Sequence, residues 1–331
     1  MSLKVEFLER CEGDSPSIER VFRRVAVELE ASGVTCRFRK APYGNTIFST
    51  FRNLLFFRSS SADVFHITGH INYMGLVLPK EKTVLTVHDL TVLQFRSGFR
   101  RWLIARLYFK WPARRLRYLT AISEATKARL VTLAKISAEK VIVIENPLLI
   151  SEARGRQFDP VMPTILQIGT APNKNLDRLI KALEAVPCNL RIVGPIPQAS
   201  RGLLEASGIS YTNDLHLDDE GIKDAYRNAD IVTLCSTDEG FGLPIIEAQA
   251  CGVVVVTSDR SPMREVAGGA AALADPENPA SIRASITALI NDRALREDLV
   301  SKGRENVKRF NVKRIAAEYR TLYSEIANSA G

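Results

Sequence analysis

The amino-acid sequence predicts two doubly wound α/β domains in series, followed by a helical tail. Three observations carry that expectation. Strand-length apolar runs alternate with helix-length amphipathic stretches; the alternation stops once, in a polar irregular segment, and then restarts; and from Pro279 onward only helical periodicity is left. A length of 331 residues suits two domains of ordinary size better than one.

In the first half, Lys4 to Glu9 and Thr35 to Arg39 read as strands flanking an amphipathic stretch from Ile18 to Ala31. Asp63 to Thr68, Thr83 to Val87, Leu119 to Ile122 and Val141 to Ile144 are further short apolar runs. Short buried strands separated by helical segments argue for a parallel sheet covered on both faces. The pattern stops near Pro147. Ser151 to Pro163, polar with two prolines, reads as a linker between a domain over residues 1–150 and one over 164–310. Strands restart at Thr164 to Ile168, which ends in Gly169, and Leu176, Leu179, Ile180 and Leu183 then trace a helical stripe. Leu190 to Val193, Ile231 to Leu234 and Val253 to Val256 supply more strands, and residues 311–331 form a C-terminal helix expected to pack back on the first domain. In such sheets ligands bind beyond the carboxyl ends of the strands, so the two domains are expected to face each other across a cleft.

Hydrophobic residues make up 46% of the chain and charged residues 25%, the balance of a soluble protein with full cores. No run of eighteen apolar residues and no signal-peptide core is present, so neither a spanning helix nor secretion is expected. Cys11, Cys36, Cys188, Cys235 and Cys251 are scattered and odd in number, as reduced cytosolic thiols are, with Cys235 and Cys251 expected in the core. A formal charge of +8 favours an anionic ligand or surface.

The stretch from Thr237 to Ala248 carries the most chemistry. It follows a buried strand, and Pro244 suits the first position of a helix, where a missing N–H costs nothing. Gly240 and Gly242 allow close backbone approach, and the free amides at a helix start attract phosphate. Glu239 in the loop and Glu247 in the first helical turn place two carboxylates around one anion site, and carboxylates accept hydrogen bonds from sugar hydroxyls. The same residues also read as an exposed loop and a capped helix, and spacing alone leaves both readings open.

Glu239 and Glu247 match the E-x7-E signature of retaining glycosyltransferases of the GT-B fold, and the residues between them closely resemble family 4. The resemblance spans nearly the whole chain, most specifically from Thr164 to Pro276 and least over the first sixty residues. It implies that Glu247 binds the ribose of a nucleotide, that Glu239 contacts the donor sugar, and that the backbone amides of Gly240, Phe241, Gly242 and Leu243 cover the diphosphate. Gly169 to Asn175 resembles the family segment in which an Arg and a Lys hold that diphosphate. Lys174 matches the Lys; Thr170 stands where the Arg is usual, in a turn one residue shorter, so backbone amides and Thr170 itself would have to compensate. Asn173 to Asn175 also reads as a plain helix start. Val87-His88-Asp89 resembles the family's strand-end His near the donor sugar, although such a pair also forms local hydrogen bonds. His66 and His70, at another strand end, are candidates to face the acceptor. Ser123 reads as a helix cap, and Asn146 ends the last strand of the first domain.

No Asp-x-Asp pair, zinc-ligand spacing, GxGxxG after a strand or GxxxxGK[ST] occurs, so no metal or dinucleotide cofactor is expected. The stretch from Phe95 to Tyr118 interleaves eight Arg and Lys side chains with Trp102, Leu103, Ile104, Leu107, Phe109 and Trp111. It reads equally as a basic amphipathic helix on an anionic membrane and as a surface helix whose arginines snorkel outward; nucleic-acid binding is a poorer fit. The expectation is a retaining, metal-independent transferase that moves a sugar from a nucleoside diphosphate sugar to a glycan or lipid-linked acceptor. It would work in the cytoplasm or on the inner face of the membrane, in cell-surface polysaccharide or glycolipid synthesis. A nucleotide-sugar epimerase and a silent sugar-nucleotide sensor are the competing readings.

Overall fold

A computed structural model describes residues 2–11, 17–44, 47–56, 61–93, 96–150 and 155–329. Phe95 and residues 151–154 of the expected linker lie outside the described residues. The chain divides into two units, Met1–Leu149 with Asn311–Gly331, and Ile150–Phe310. Each contains a six-stranded sheet whose strand pairs are all parallel, so the expected pair of doubly wound α/β domains with a helical tail is what the sequence folds into.

Unit 1 runs β1 (Lys4–Glu9), α1 (Ser17–Ala31), β2 (Thr35–Lys40), α2 (Ile47–Phe56), β3 (Val64–Ile67), β4 (Thr83–Val87), α3 (Gly98–Ile104), α4 (Trp111–Arg115), β5 (Tyr118–Ala121), α5 (Glu124–Ala134) and β6 (Val141–Val143). The strand order β2-β1-β3-β4-β5-β6 reverses direction at β1, so the crevice between the ends of β1 and β3 is the topological switch point. One face of the sheet is covered by a cluster that includes Leu8, Ile67, Leu85, Leu119 and Phe109. Against the other lies α1 with the C-terminal helix α13 (Val312–Ser329), which brings Tyr319 and Tyr323 onto Phe7, Phe22 and His66. As sequence reading expects, Ser123 caps α5, accepting from the Thr126 amide at 3.1 Å.

The basic stretch is not one regular helix. A π-helical turn over Ala105–Lys110 separates α3 from α4, and β5 already begins at Tyr118. Phe109 is buried, while Phe99, Trp102 and Trp111 are 72%, 45% and 41% exposed. Two of the arginines expected to face a membrane are exposed and also bond carbonyls of the fold. Arg114 donates to the Ala134 carbonyl, and Arg115 donates to the Gly75 and Leu78 carbonyls.

Unit 2 runs β7 (Thr164–Ile168), α6 (Leu176–Leu183), β8 (Asn189–Val193), α7 (Gln198–Ser207), β9 (Ser210–Asp214), α8 (Asp219–Arg227), β10 (Ile231–Leu234), α9 (Leu243–Ala250), β11 (Val254–Ser258), α10 (Met263–Ala267), β12 (Ala272–Ala274), α11 (Pro279–Asn291) and α12 (Arg293–Asn306). Here the order is β12-β11-β10-β7-β8-β9, which makes β7 and β10 the switch-point pair. From Gly155 the irregular segment before β7 is fastened to this unit: the buried Asp230 carboxylate accepts from Arg156 and from the amides of Asp159 and Thr164. Cys188, Cys235 and Cys251 are buried in this unit. Among the described residues no helix is long and apolar enough to cross a membrane.

Candidate functional site

Two loops leave the carboxyl ends of β7 and β10, where an open parallel sheet offers a ligand crevice. The first runs from Gly169 to Asn175. Gly169 has φ +86°, and the side chain of Lys174 passes so close that a Cβ on Gly169 would lie 3.1 Å from Lys174 Cε. Gln167 latches this turn by donating to the Gly169 and Lys174 carbonyls. Asn175, at φ 63°, donates to the Cys235 and Pro276 carbonyls, and Asn173 donates to the Asp238 carbonyl. The Thr237 amide in turn donates to the Asn173 carbonyl at 2.9 Å. These bonds bind the two loops into one frame although some sixty residues of sequence separate them.

On that frame Lys174 and Glu239 meet. Lys174 Nζ lies 2.6 Å from Glu239 Oε1, and Ser236 Oγ donates to the same oxygen at 2.7 Å. Both ionic side chains are mostly buried, so without ligand each serves as the other's counter-ion. Gly242 precedes α9 with φ +112°, and a Cβ there would press on Ile245 and Leu234 at 3.0 and 3.3 Å. Glycine therefore lets the loop turn into the helix, leaving the first amides of α9 at the carboxyl edge of the sheet. Pro244 is the second helical residue, one place later than expected, which satisfies the same missing-donor logic. Phe241 is buried edge-on to Phe310 at 5.7 Å, so its side chain anchors the loop.

Glu247 corrects the sequence reading. It sits in the second turn of α9, too far from the helix start to act as an N-terminal charge, and it is buried, accepting from the Tyr226 hydroxyl at 2.7 Å. Thr170 is also differently employed. Its hydroxyl donates to the Pro195 carbonyl at 2.5 Å, so in this structure that proton serves the fold. Tyr226 and Ser236, which hold the two glutamates, carry no motif of their own.

In unit 1, His88 follows β4, and its Nε2 lies 2.8 Å from the Thr68 carbonyl oxygen, beside the switch point. A carbonyl can only accept, so Nε2 carries the proton and Nδ1 is left as an acceptor. Burial, with His70 nearby, lowers the His88 pKa to about 4, so the ring is neutral at neutral pH. His66 does not face a ligand. It is fully buried between Tyr323, at 2.6 Å from Nδ1, and Thr86, at 2.6 Å from Nε2, and burial pushes its pKa well down. Among the described residues no three His, Cys, Asp or Glu side chains cluster as metal ligands do.

The profile of Glycosyltransferase Family 4 matches residues 4–149, and that of Glycosyl transferases group 1 matches residues 156–306. O-antigen chain mannosyltransferase B of Escherichia coli is 26% identical over 261 residues, spanning 70% of this chain and 67% of that protein. Phosphatidyl-myo-inositol mannosyltransferase of Mycobacterium leprae is 31% identical over 192 residues, 50% of this chain and 47% of that protein. Among solved structures, sucrose-phosphate synthase from Thermosynechococcus elongatus superposes with a TM-score of 0.80 at 16% identity, covering 99% of this chain and all of that one (100%). Anabaena HepE in complex with UDP and glucose gives 0.77 at 16% identity, covering 98% and 100%. With both halves matched by glycosyltransferase profiles and one fold shared over the full length, this protein is an enzyme, a glycosyltransferase of the GT-B fold.

Proposed function

We propose that the enzyme is a retaining, metal-independent hexosyltransferase that uses a nucleoside diphosphate sugar and no further cofactor. The acceptor is a hydroxyl of a glycan or lipid-linked saccharide, in cell-surface polysaccharide or glycolipid synthesis at the cytoplasmic face of a membrane. The observation that carries this reading is the meeting of Lys174 and Glu239, a cation and a carboxylate, in the loop frame that leads into α9. The names of the relatives support it, since those proteins are mannosyltransferases of O-antigen chains and of phosphatidyl-myo-inositol.

In this reading Lys174 leaves Glu239 for the diphosphate when donor binds, and the amides from Gly240 to Leu243 share the phosphate charge. Glu239 is thereby released to the sugar hydroxyls, and Glu247 holds the ribose. His88 accepts a hydroxyl of the reacting sugar at Nδ1. The bond from the anomeric carbon to the phosphate oxygen breaks while the acceptor oxygen bonds to the same face of that carbon, and the acceptor proton passes to the departing phosphate. Catalysis then rests on positioning and on stabilising charge at the leaving group. Basic and aromatic side chains of α3 hold the enzyme on anionic lipid.

The test is incubation with a panel of nucleotide sugars, with and without crude lipid or glycan acceptor, in excess EDTA. Transfer that needs acceptor and survives EDTA is expected, with the anomeric configuration of the donor kept in the product. Isomerised donor without acceptor would make the protein an epimerase, binding without turnover a sensor, and loss of turnover restored by Mg2+ or Mn2+ would end the metal-independent reading.

A further inference from the structure

Tyr226 lies at the end of α8, fully buried, with its hydroxyl 2.7 Å from Glu247 Oε2. A phenylalanine would fill nearly the same volume without placing a hydroxyl in the interior. A buried hydroxyl is costly unless it finds a partner, and here the partner is a carboxylate that is itself almost entirely buried. A phenol has a single proton to give and a carboxylate only accepts, so the direction of this bond is fixed.

We infer that Tyr226 is a positioning residue for the nucleotide, setting the rotation of the Glu247 carboxylate so that it meets the 2′- and 3′-hydroxyls of a ribose together. The inference rests on the ribose reading of Glu247 proposed above. The last torsion of a glutamate is broad and nearly two-fold, so an untethered carboxylate turns freely. Two adjacent hydroxyls demand one orientation of its plane. A charge-assisted bond to one oxygen selects that orientation before the ligand arrives, and so removes an ordering cost from binding.

The test compares wild type with Tyr226→Phe by calorimetric titration, using whichever of UDP, GDP and ADP binds the parent best, and its 2′-deoxy counterpart. Wild type is expected to prefer the ribonucleotide. Tyr226→Phe is expected to weaken the ribonucleotide about tenfold and the 2′-deoxynucleotide far less, so that the ratio between them shrinks. Combined with Glu247→Ala, it should add nothing to the loss that Glu247→Ala causes alone. If Tyr226→Phe keeps the parental ratio, whether affinity is unchanged or both ligands weaken equally, Tyr226 is packing and the inference is overturned. If Glu247→Ala itself keeps the ribose preference, the ribose reading falls instead, a separate and recognisable result. Should Tyr226→Phe fail to fold, 3-fluorotyrosine at position 226 alters the same bond from the phenol side and leaves Glu247 intact; a changed ribose preference is expected, and an unchanged one overturns the inference.

Discussion

Glu239 and Glu247 stand eight residues apart in sequence and in quite different surroundings. Glu239 shares a proton donor and a cation with its own loop frame, while Glu247 is held from behind by a buried phenol. Their alanine variants should therefore differ in kind. On the proposed ribose role, Glu247→Ala removes a charged partner of the nucleotide, worth about 1.5–3 kcal/mol, and should weaken nucleoside diphosphate binding roughly ten- to hundredfold. Glu239→Ala should bind the nucleoside diphosphate as tightly as the parent or more so, because Lys174 no longer has to leave a counter-ion, while turnover collapses. Titration calorimetry and transfer rates, on variants that melt like wild type, separate the two phenotypes. Equal losses in both would return the loop to a merely structural role.

At the level of elements, α3 is where charge and exposed aromatic surface coincide. Phe99 and Trp102 are stacked at 5.4 Å between ring centres, and the Arg106 guanidinium lies 4.0 Å over the Trp102 ring. Arg100 and Arg101 are exposed on the same helix. Exposed basic groups near an anionic surface contribute about 1 kcal/mol each. Replacing Arg100 and Arg101 by Gln should thus loosen co-sedimentation with anionic vesicles at low salt by roughly tenfold or more, and Phe99→Ser with Trp102→Ser should do so at any salt. Arg114→Gln and Arg115→Gln should leave sedimentation alone and lower the melting temperature, since both side chains satisfy carbonyls of the fold. Parental protein that never sediments with such vesicles would remove the membrane from the proposal.

The same element shows what sequence could and could not disclose. Strands such as Thr83–Val87 and Ile231–Leu234 are legible because all their residues are buried, and burial on both faces leaves an unbroken apolar run. The edge strand Ser210–Asp214 is mostly exposed and polar, so it leaves no such run and is missed. Apolar periodicity likewise sees a helix from Phe95 to Tyr118 and cannot see that carbonyls elsewhere recruit two of its arginines. Glu239, Lys174 and Gly242 announce themselves through local spacing. Tyr226 does not, because its bond to Glu247 joins residues from different helices.

On the scale of the whole molecule, the decisive fact is that unit 1 is discontinuous and unit 2 is not. The helix α13 buries Ile315, Tyr319, Leu322, Tyr323 and Ile326. Each such side chain contributes about 1.5–3 kcal/mol on burial, so together they rival the roughly 5–15 kcal/mol that holds a typical domain folded. A chain ending at Phe310 should lose amide exchange protection throughout β1 to β6 and keep it in β7 to β12, as read by hydrogen-exchange mass spectrometry. Equal protection in both sheets would show that α13 is dispensable.

That discontinuity has a temporal side. Unit 2 is complete once Phe310 has left the ribosome, whereas unit 1 must wait for Ser329, although its strands were made first. At about 5–20 residues per second, translating the stretch between Leu149 and Ser329 takes roughly ten to forty seconds. Throughout that interval Phe7, Phe22 and His66 lack the lid that Tyr319 and Tyr323 later form, and present an open apolar trough. Unit 1, whose strands precede those of unit 2 in the chain, is thus the second of the two to close.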